Sequence, residues 1–206
     1  SLTFHTLLET TTVVIFCSVF IVCWNAFGNL RKRSSVVLST TFLCAALLGL
    51  VHAISFQGMP GFQEPGDLHL SLTAWLFSRG MLASALLGLV LAKHDPYISD
   101  RKSLLILGAG LGFTGLMIAA IFIFPDFFPA TFNEHQGQTA FKLTCEFILI
   151  AFNAITAFLL YQRAVIAENL KLTQLTINNA GLFLASILLA ESEVYFVLCT
   201  AGDQLF

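Results

Sequence analysis

The stretch LLILGAGLGFTGLMIAAIFIF, residues 104–124, contains no charged side chain. An α-helix rises about 1.5 Å per residue, so about 20 apolar residues cross the roughly 30 Å hydrocarbon core of a bilayer. The whole chain has the same character, since 57% of its 206 residues are hydrophobic, 11% are charged, and the mean hydropathy is +0.84. A soluble domain would carry about twice as much charge. The sequence therefore predicts an integral membrane protein.

Five further stretches are long and apolar enough to span the bilayer. They are residues 6–27, 36–55, 72–92, 140–162 and 176–197. The first stretch is not typical of a cleavable signal peptide, because basic residues follow it and none precede it. The predicted fold is all-α, a polytopic bundle of six transmembrane helices forming one domain over residues 1–206.

The basic residues predict how this bundle is oriented. Eight of the ten lie in alternate loops, after the first, third and fifth spans: Arg31, Lys32, Arg33, Lys93, Arg101, Lys102, Arg163 and Lys171. Short loops rich in Lys and Arg stay on the cytoplasmic side. We therefore expect the N-terminus on the outer side of the membrane.

Polar side chains within the spans gather near the predicted outer face: His5, Glu9, His52, Arg79, Lys142, Glu146, Glu191 and Glu193. A charged group inside hydrocarbon costs a few kcal/mol at least, so several at one depth indicate a functional site. A closed network of ion pairs that only holds the bundle together is the competing interpretation.

His5, Glu9 and His52 form the predicted metal site. His5 and Glu9 are four residues apart on one helical face, and His52 lies one turn from the outer end of its span. Two imidazoles and a carboxylate are a plausible ligand set for a divalent transition metal. An interfacial His5 and a His52 that only bonds a neighbouring helix would give the same pattern.

Four more residues are predicted to help bind a ligand: Arg79, Lys142, Glu146 and Glu193. Lys142 and Glu146 are four apart and can simply pair with each other. Glu191 and Glu193 are two apart and point to different helix faces, so at most one of them readily faces the cavity.

Two further patterns concern packing. The outer loops, residues 56–71 and 125–139, lack Lys and Arg and are rich in Gly, Pro and aromatics, which is typical either of a lid over the bundle or of ordinary turns. Small residues recur every fourth position on two spans and predict close helix approach there. They are Gly80, Ser84 and Gly88 on the third span, and Gly108 and Gly112 on the fourth.

Several of these polar motifs together resemble the third family of bacterial membrane-associated sensor (MASE) domains. The matching stretches are HTLLE (residues 5–9), GLVH (49–52), GMPG (58–61), Trp75 with Arg79, FKLTCEF (141–147) and ESEVYF (191–196). The resemblance implies a sensory input module in the bacterial inner membrane, itself not an enzyme. It also implies a cytoplasmic output in the same chain, typically a histidine kinase or a diguanylate cyclase, that works as a homodimer.

The family pattern continues into a seventh helix that returns the chain to the cytoplasm. This sequence stops at Phe206, so we expect it to be part of a longer protein. The predicted mechanism is ligand-controlled helix packing, in which a bound metal or small ligand favours one of two bundle arrangements.

Other classes remain as alternatives. An intramembrane metal-dependent hydrolase would use zinc-bound water with Glu9 or Glu193 as the base. A haem or quinone redox sensor would use His5 and His52. A transporter would be expected to show internal repeats, and none is evident. No motif for nucleic-acid binding is present.

Overall fold

The computed structural model describes residues 2–25, 30–56, 67–92, 94–133 and 137–171, together with Leu182 and Val194; the side chains of residues 2–5 and 30 are outside this description. Five long helices fill the described ranges: α1 (Leu2–Asn25), α2 (Arg33–Ser55), α3 (Leu68–Leu91), α4 (Asp100–Ile123) and α5 (Ala140–Asn169). Each contains a stretch long and apolar enough to cross a membrane. Five of the six predicted spans are thus confirmed as helices. The sixth, residues 176–197, falls almost wholly outside the described residues and stays a prediction.

The helix ends differ from the hydropathy boundaries for local reasons. α3 begins at Leu68 and not at residue 72, because the Asp67 carboxylate accepts hydrogen bonds from the backbone N–H groups of His69 and Leu70 at 2.9 and 3.2 Å. α5 continues to Asn169, since a helix need not end where the hydrocarbon does. It stops before Lys171, whose φ of 56° is left-handed and ends the helix.

Short strands close both ends of the bundle. At one end, β1 (Leu30–Lys32) pairs antiparallel with β2 (Tyr97–Ser99). At the other, a 3-10 turn (Pro125–Phe127) precedes a small hairpin of β3 (Phe132–Asn133) and β4 (Gly137–Gln138). We call the first of these the Arg33 end. The second is the His52 end, where α2 ends and α1, α3 and α5 begin.

At the Arg33 end, the loop before α4 caps α2. The Asp95 carboxylate accepts from the Ser34 backbone N–H at 2.8 Å and from the Ser34 hydroxyl at 2.6 Å. The Arg33 guanidinium donates to the His94 carbonyl at 2.7 Å. A carboxylate at a helix N-terminus satisfies an unpaired N–H and opposes the helix dipole.

α2 is the central helix. It packs on α1, α3 and α4, whereas α5 packs on α3. Phe16 of α1, Ala45 of α2 and Leu82 of α3 belong to one buried apolar cluster, and a second joins α2, α3 and α4 nearer the His52 end. Ser78 of α3 adds a hydrogen bond of 3.0 Å to the Ala45 carbonyl. These contacts hold α2 and α3 together at the centre of the bundle, with α1 and α5 packed on either side.

A close approach between two helices lies at a glycine outside the predicted pattern. A Cβ added at Gly110 of α4 would lie 2.5 Å from Cγ2 of Thr40 on α2. At Gly80, Gly88, Gly108 and Gly112 an added Cβ would meet no atom within 4 Å among the described residues. The prediction of close approach at those four positions is therefore wrong for the described helices. α4 is apolar on all sides, so the glycine spacing alone did not reveal which face meets α2.

We predict that Gly110→Ala destabilises the domain by about 1–3 kcal/mol, because the new methyl group overpacks the contact with Thr40. Thermal unfolding in detergent measures the effect. Gly112→Ala is the matched control and should be neutral or slightly stabilising, since alanine favours the helix and the position is open. Equal effects of the two substitutions would contradict this assignment of the α2–α4 interface.

Candidate functional site

His52 is a buried polar side chain at the His52 end, held by contacts with Ser71. It lies one turn before the end of α2 and is 3% exposed. Its Nδ1 lies 2.9 Å from the Ser71 carbonyl oxygen and 2.9 Å from the Ser71 hydroxyl, which itself donates to the His52 carbonyl at 2.9 Å. A carbonyl only accepts, so Nδ1 carries the proton. This bond fixes the ring and directs Nε2 away from Ser71.

Nε2 of His52 faces Glu9 of α1. The distance from Nε2 to Glu9 Oε1 is 3.9 Å, beyond hydrogen-bond length but close enough for a charge interaction. Glu9 keeps 16% of its side chain exposed, so the pair lies at the edge of the bundle and not sealed within it. An imidazole nitrogen and a carboxylate oxygen at this separation are both electron-pair donors, and together they suit a cation.

The remaining predicted metal ligand is His5. Its backbone belongs to α1, one turn before Glu9, and its side chain is outside the described residues. Among the side chains that the structure describes, no group of three His, Cys, Asp or Glu residues could hold a metal ion. Glu191 and Glu193 also lie outside the described part of the chain. The metal set therefore stays a prediction, with Glu9 and His52 as its adjacent members.

A second polar group joins α3 to α5. Lys142 Nζ lies 2.5 Å from Glu146 Oε1, and both side chains are fully buried. The centroid of the Trp75 ring of α3 lies 5.3 Å from the Lys142 ammonium and 5.6 Å from the Arg79 guanidinium. Both distances are typical of cation–π contacts. Trp75 thus brings two cations of the predicted ligand set to one ring.

The inner face of α5 carries further polar atoms below this pair. Oε2 of Glu146 and Oδ1 of Asn153 are buried and have no hydrogen-bond partner among the described residues. The two residues are seven apart, which places them on the same face about 10 Å from each other along the axis. Thr156, one turn deeper, donates back to the Phe152 carbonyl at 2.8 Å. The buried face of α5 therefore carries polar side chains from Lys142 to Thr156, over about four helical turns.

The two groups lie side by side on α3. Ser71 holds His52, and Trp75, one turn further along, contacts Lys142. The predicted ligand residues form one set in the sequence, whereas the described contacts divide them into two groups. One group is Glu9 with His52, and the other is Arg79, Lys142 and Glu146 around Trp75. Sequence reasoning missed Ser71 and Asn153. Asn153 had a detectable signal, as an amide inside an apolar span, but nothing in the sequence pairs Ser71 with His52.

The fold and these buried groups define the class of protein. Apolar helices of membrane-spanning length, with polar groups enclosed at one end, belong to a polytopic domain in contact with the lipid bilayer. The family model for the membrane-associated sensor domain MASE3 matches residues 1–205, and the chain belongs to that family. No curated protein and no solved structure matches it. The predicted resemblance is therefore confirmed. As a member of this family, the domain is a sensor and not an enzyme, and the hydrolase alternative is set aside.

We predict that Lys142→Met lowers the free energy of unfolding by about 3 kcal/mol, because it leaves the Glu146 carboxylate buried without its counter-charge. The double substitution Lys142→Met, Glu146→Leu should recover most of that loss. Thermal unfolding in detergent measures both. Lys102→Met, at an exposed lysine of the Arg33 end, is the control. A single variant as stable as the control would show that the pair is not buried as described.

Proposed function

We propose that this sensor domain binds a divalent transition-metal ion through Glu9 and His52, with His5 as third ligand, and signals to a cytoplasmic output domain. The observation that supports it is the orientation of His52. A metal-binding histidine usually donates its other ring N–H to a carbonyl or carboxylate. The Nδ1 bond to the Ser71 carbonyl is of this kind, and it directs Nε2 towards Glu9.

The spacing of the two ligand atoms suggests how binding would move the helices. Two ligands about 2.1 Å from one tetrahedral ion lie about 3.4 Å apart. Nε2 and Oε1 are 3.9 Å apart, so an ion held by both would draw α1 towards α2. His52 is fixed to α3 by Ser71, so α1 is the element free to shift. Nitrogen and oxygen ligands suit zinc, nickel, cobalt or copper.

The described contacts offer a route from this site to the far side of the bundle. α3 carries Ser71 and, one turn on, Trp75, which contacts Lys142 of α5. At the Arg33 end, the Arg163 guanidinium of α5 donates to the Val90 carbonyl of α3. α3 and α5 are thus tied at both ends, and a bias applied at Ser71 reaches α5. The free energy of this shift is limited to the difference in ligand-binding free energy between the two bundle arrangements.

The charge distribution supports the orientation. Seven of the nine basic residues in the described part lie at the Arg33 end, all except Arg79 and Lys142. We assign that end to the cytoplasm of a bacterial cell with the N-terminus outside. The His52 end then samples the outer side of the inner membrane. Arg79, Lys142, Glu146 and Glu193 would act as secondary ligand contacts. The output, a histidine kinase or a diguanylate cyclase, would follow a seventh helix in a homodimer.

Haem is a less suitable occupant than a metal ion. A haem iron bound to Nε2 would need an open plane in front of the ring, and Glu9 lies in that direction 3.9 Å away. A small organic ammonium ligand would fit the same two electron-pair donors, and the titration below separates it from a metal.

We predict that the full-length protein in lipid nanodiscs binds Zn²⁺ at one site per chain, measured by calorimetric titration and elemental analysis. His52→Ala and Glu9→Gln should each weaken binding by more than about tenfold, because each removes a ligand. His94→Ala, at an exposed histidine of the Arg33 end, is the matched control and should bind as the wild type does. All variants are checked for unchanged thermal stability.

Wild-type protein that binds no Zn²⁺, or folded variants that bind it as tightly as the control, would contradict the metal site. Saturable binding of an alkylammonium ion, lost in the same two variants, would assign the site to an organic cation instead.

A further inference from the structure

A second histidine at the His52 end holds the connection between α4 and α5. His69 lies in the first turn of α3, and its Nδ1 accepts a hydrogen bond from the Thr131 backbone N–H at 3.2 Å. The Thr131 hydroxyl lies 2.9 Å from the same nitrogen and 3.3 Å from the His69 carbonyl. A backbone N–H can only donate, so Nδ1 must be unprotonated and the ring neutral.

Thr131 passes this restraint on to α5. It is 1% exposed, and its carbonyl accepts from the Thr139 backbone N–H at 3.2 Å. The Thr139 hydroxyl donates to the Ala130 carbonyl at 2.6 Å and accepts from the Lys142 backbone N–H at 3.3 Å, where it caps α5. His69 is therefore joined through Thr131 and Thr139 to the first turn of the helix that carries the Lys142–Glu146 pair.

Protonation would break this arrangement at a definite atom. A proton on Nδ1 would point at the Thr131 N–H, and two donors cannot share the contact. The Thr131 hydroxyl could still accept from the ring, but the buried Thr131 amide would lose its acceptor and have to move. An unpaired buried N–H is unfavourable, and the segment avoids this cost by separating from α3.

Titratable groups lie on the elements packed around His69. On α3, the Asp67 carboxylate lies at the backbone N–H of His69. In the described part of the α4–α5 connection, the charged residue is Asp126, which is exposed. On α2, the titratable neighbour is His52, which contacts Ser71, two residues after His69. Histidine is the side chain that in general changes its charge between about pH 5 and 8.

We propose that the His69–Thr131 contact is a proton-operated latch, and that the domain senses acidification at its His52 end as an input separate from the metal site. At neutral pH the latch holds residues 128–133 on α3 and keeps α5 capped. Acidification releases the connection and loosens the first turn of α5. Because Lys142 lies in that turn, the released state also changes the α3–α5 interface.

Hydrogen exchange followed by mass spectrometry tests this on the full-length protein in nanodiscs with a chelator present. Peptides from residues 124–133 are compared at about pH 7.5 and about pH 5.5, each rate divided by the rate of the unfolded chain at that pH. In the wild type, protection should fall about fivefold on acidification, as expected from one lost hydrogen bond.

His69→Asn is the decisive variant, because its amide oxygen can replace Nδ1 as an acceptor but cannot be protonated. Its protection should stay constant between the two pH values. His94→Asn, at the exposed histidine of the Arg33 end, should respond as the wild type does. Wild-type protection that does not change with pH, or a His69→Asn variant that loses as much as the wild type, would overturn the proposal.

The nitrogen NMR spectrum of isotope-labelled wild-type protein gives the same test if His69→Asn folds poorly. Nδ1 of His69 should be unprotonated at neutral pH and gain its proton over the range in which protection is lost. A ring already protonated on Nδ1 at neutral pH would overturn the latch.

Discussion

Lipid offers no hydrogen-bond partner, and this constraint governs where every polar side chain of the bundle lies. Hydroxyl groups such as those of Thr12 and Thr41 donate back to the carbonyl four residues earlier and so cost little. Groups too polar for that solution pair with other polar side chains, on a neighbouring helix or on their own. Ser71 with His52 and Lys142 with Glu146 are the two clearest cases, and both lie at the same end of the molecule.

α3 is the element on which these partnerships meet. Its first turn carries His69, which holds the α4–α5 connection, and Ser71, which holds His52. The next turn carries Trp75, which lies against Lys142. Each contact involves a different neighbouring segment, so a change at any one of the three contacts acts on the same helix, α3. This arrangement explains how a sensor domain could combine two stimuli without a shared binding pocket.

Much of the fold could be predicted from the sequence, because membrane thickness sets helix length. The ends of the helices could not be predicted in this way, since the Asp67 cap at the start of α3 and the left-handed Lys171 after α5 depend on a few local bonds. The glycine spacing misled because an all-apolar helix such as α4 does not reveal its packed face, and Gly110 lies between the two glycines of the pattern. The site was predicted as a set of residues, and its division into two groups depends on Ser71 and Trp75, whose partners are distant in sequence.

The most direct test of the account is an anomalous difference map, collected at the zinc edge, from the full-length protein crystallised with Zn²⁺. The account predicts a peak between Glu9 and His52, with α1 drawn towards α2 relative to metal-free crystals. A peak elsewhere, or no ordered zinc at saturating concentration, would contradict the claim that this pair is the stimulus site. So would a bound ion that leaves α1 unmoved.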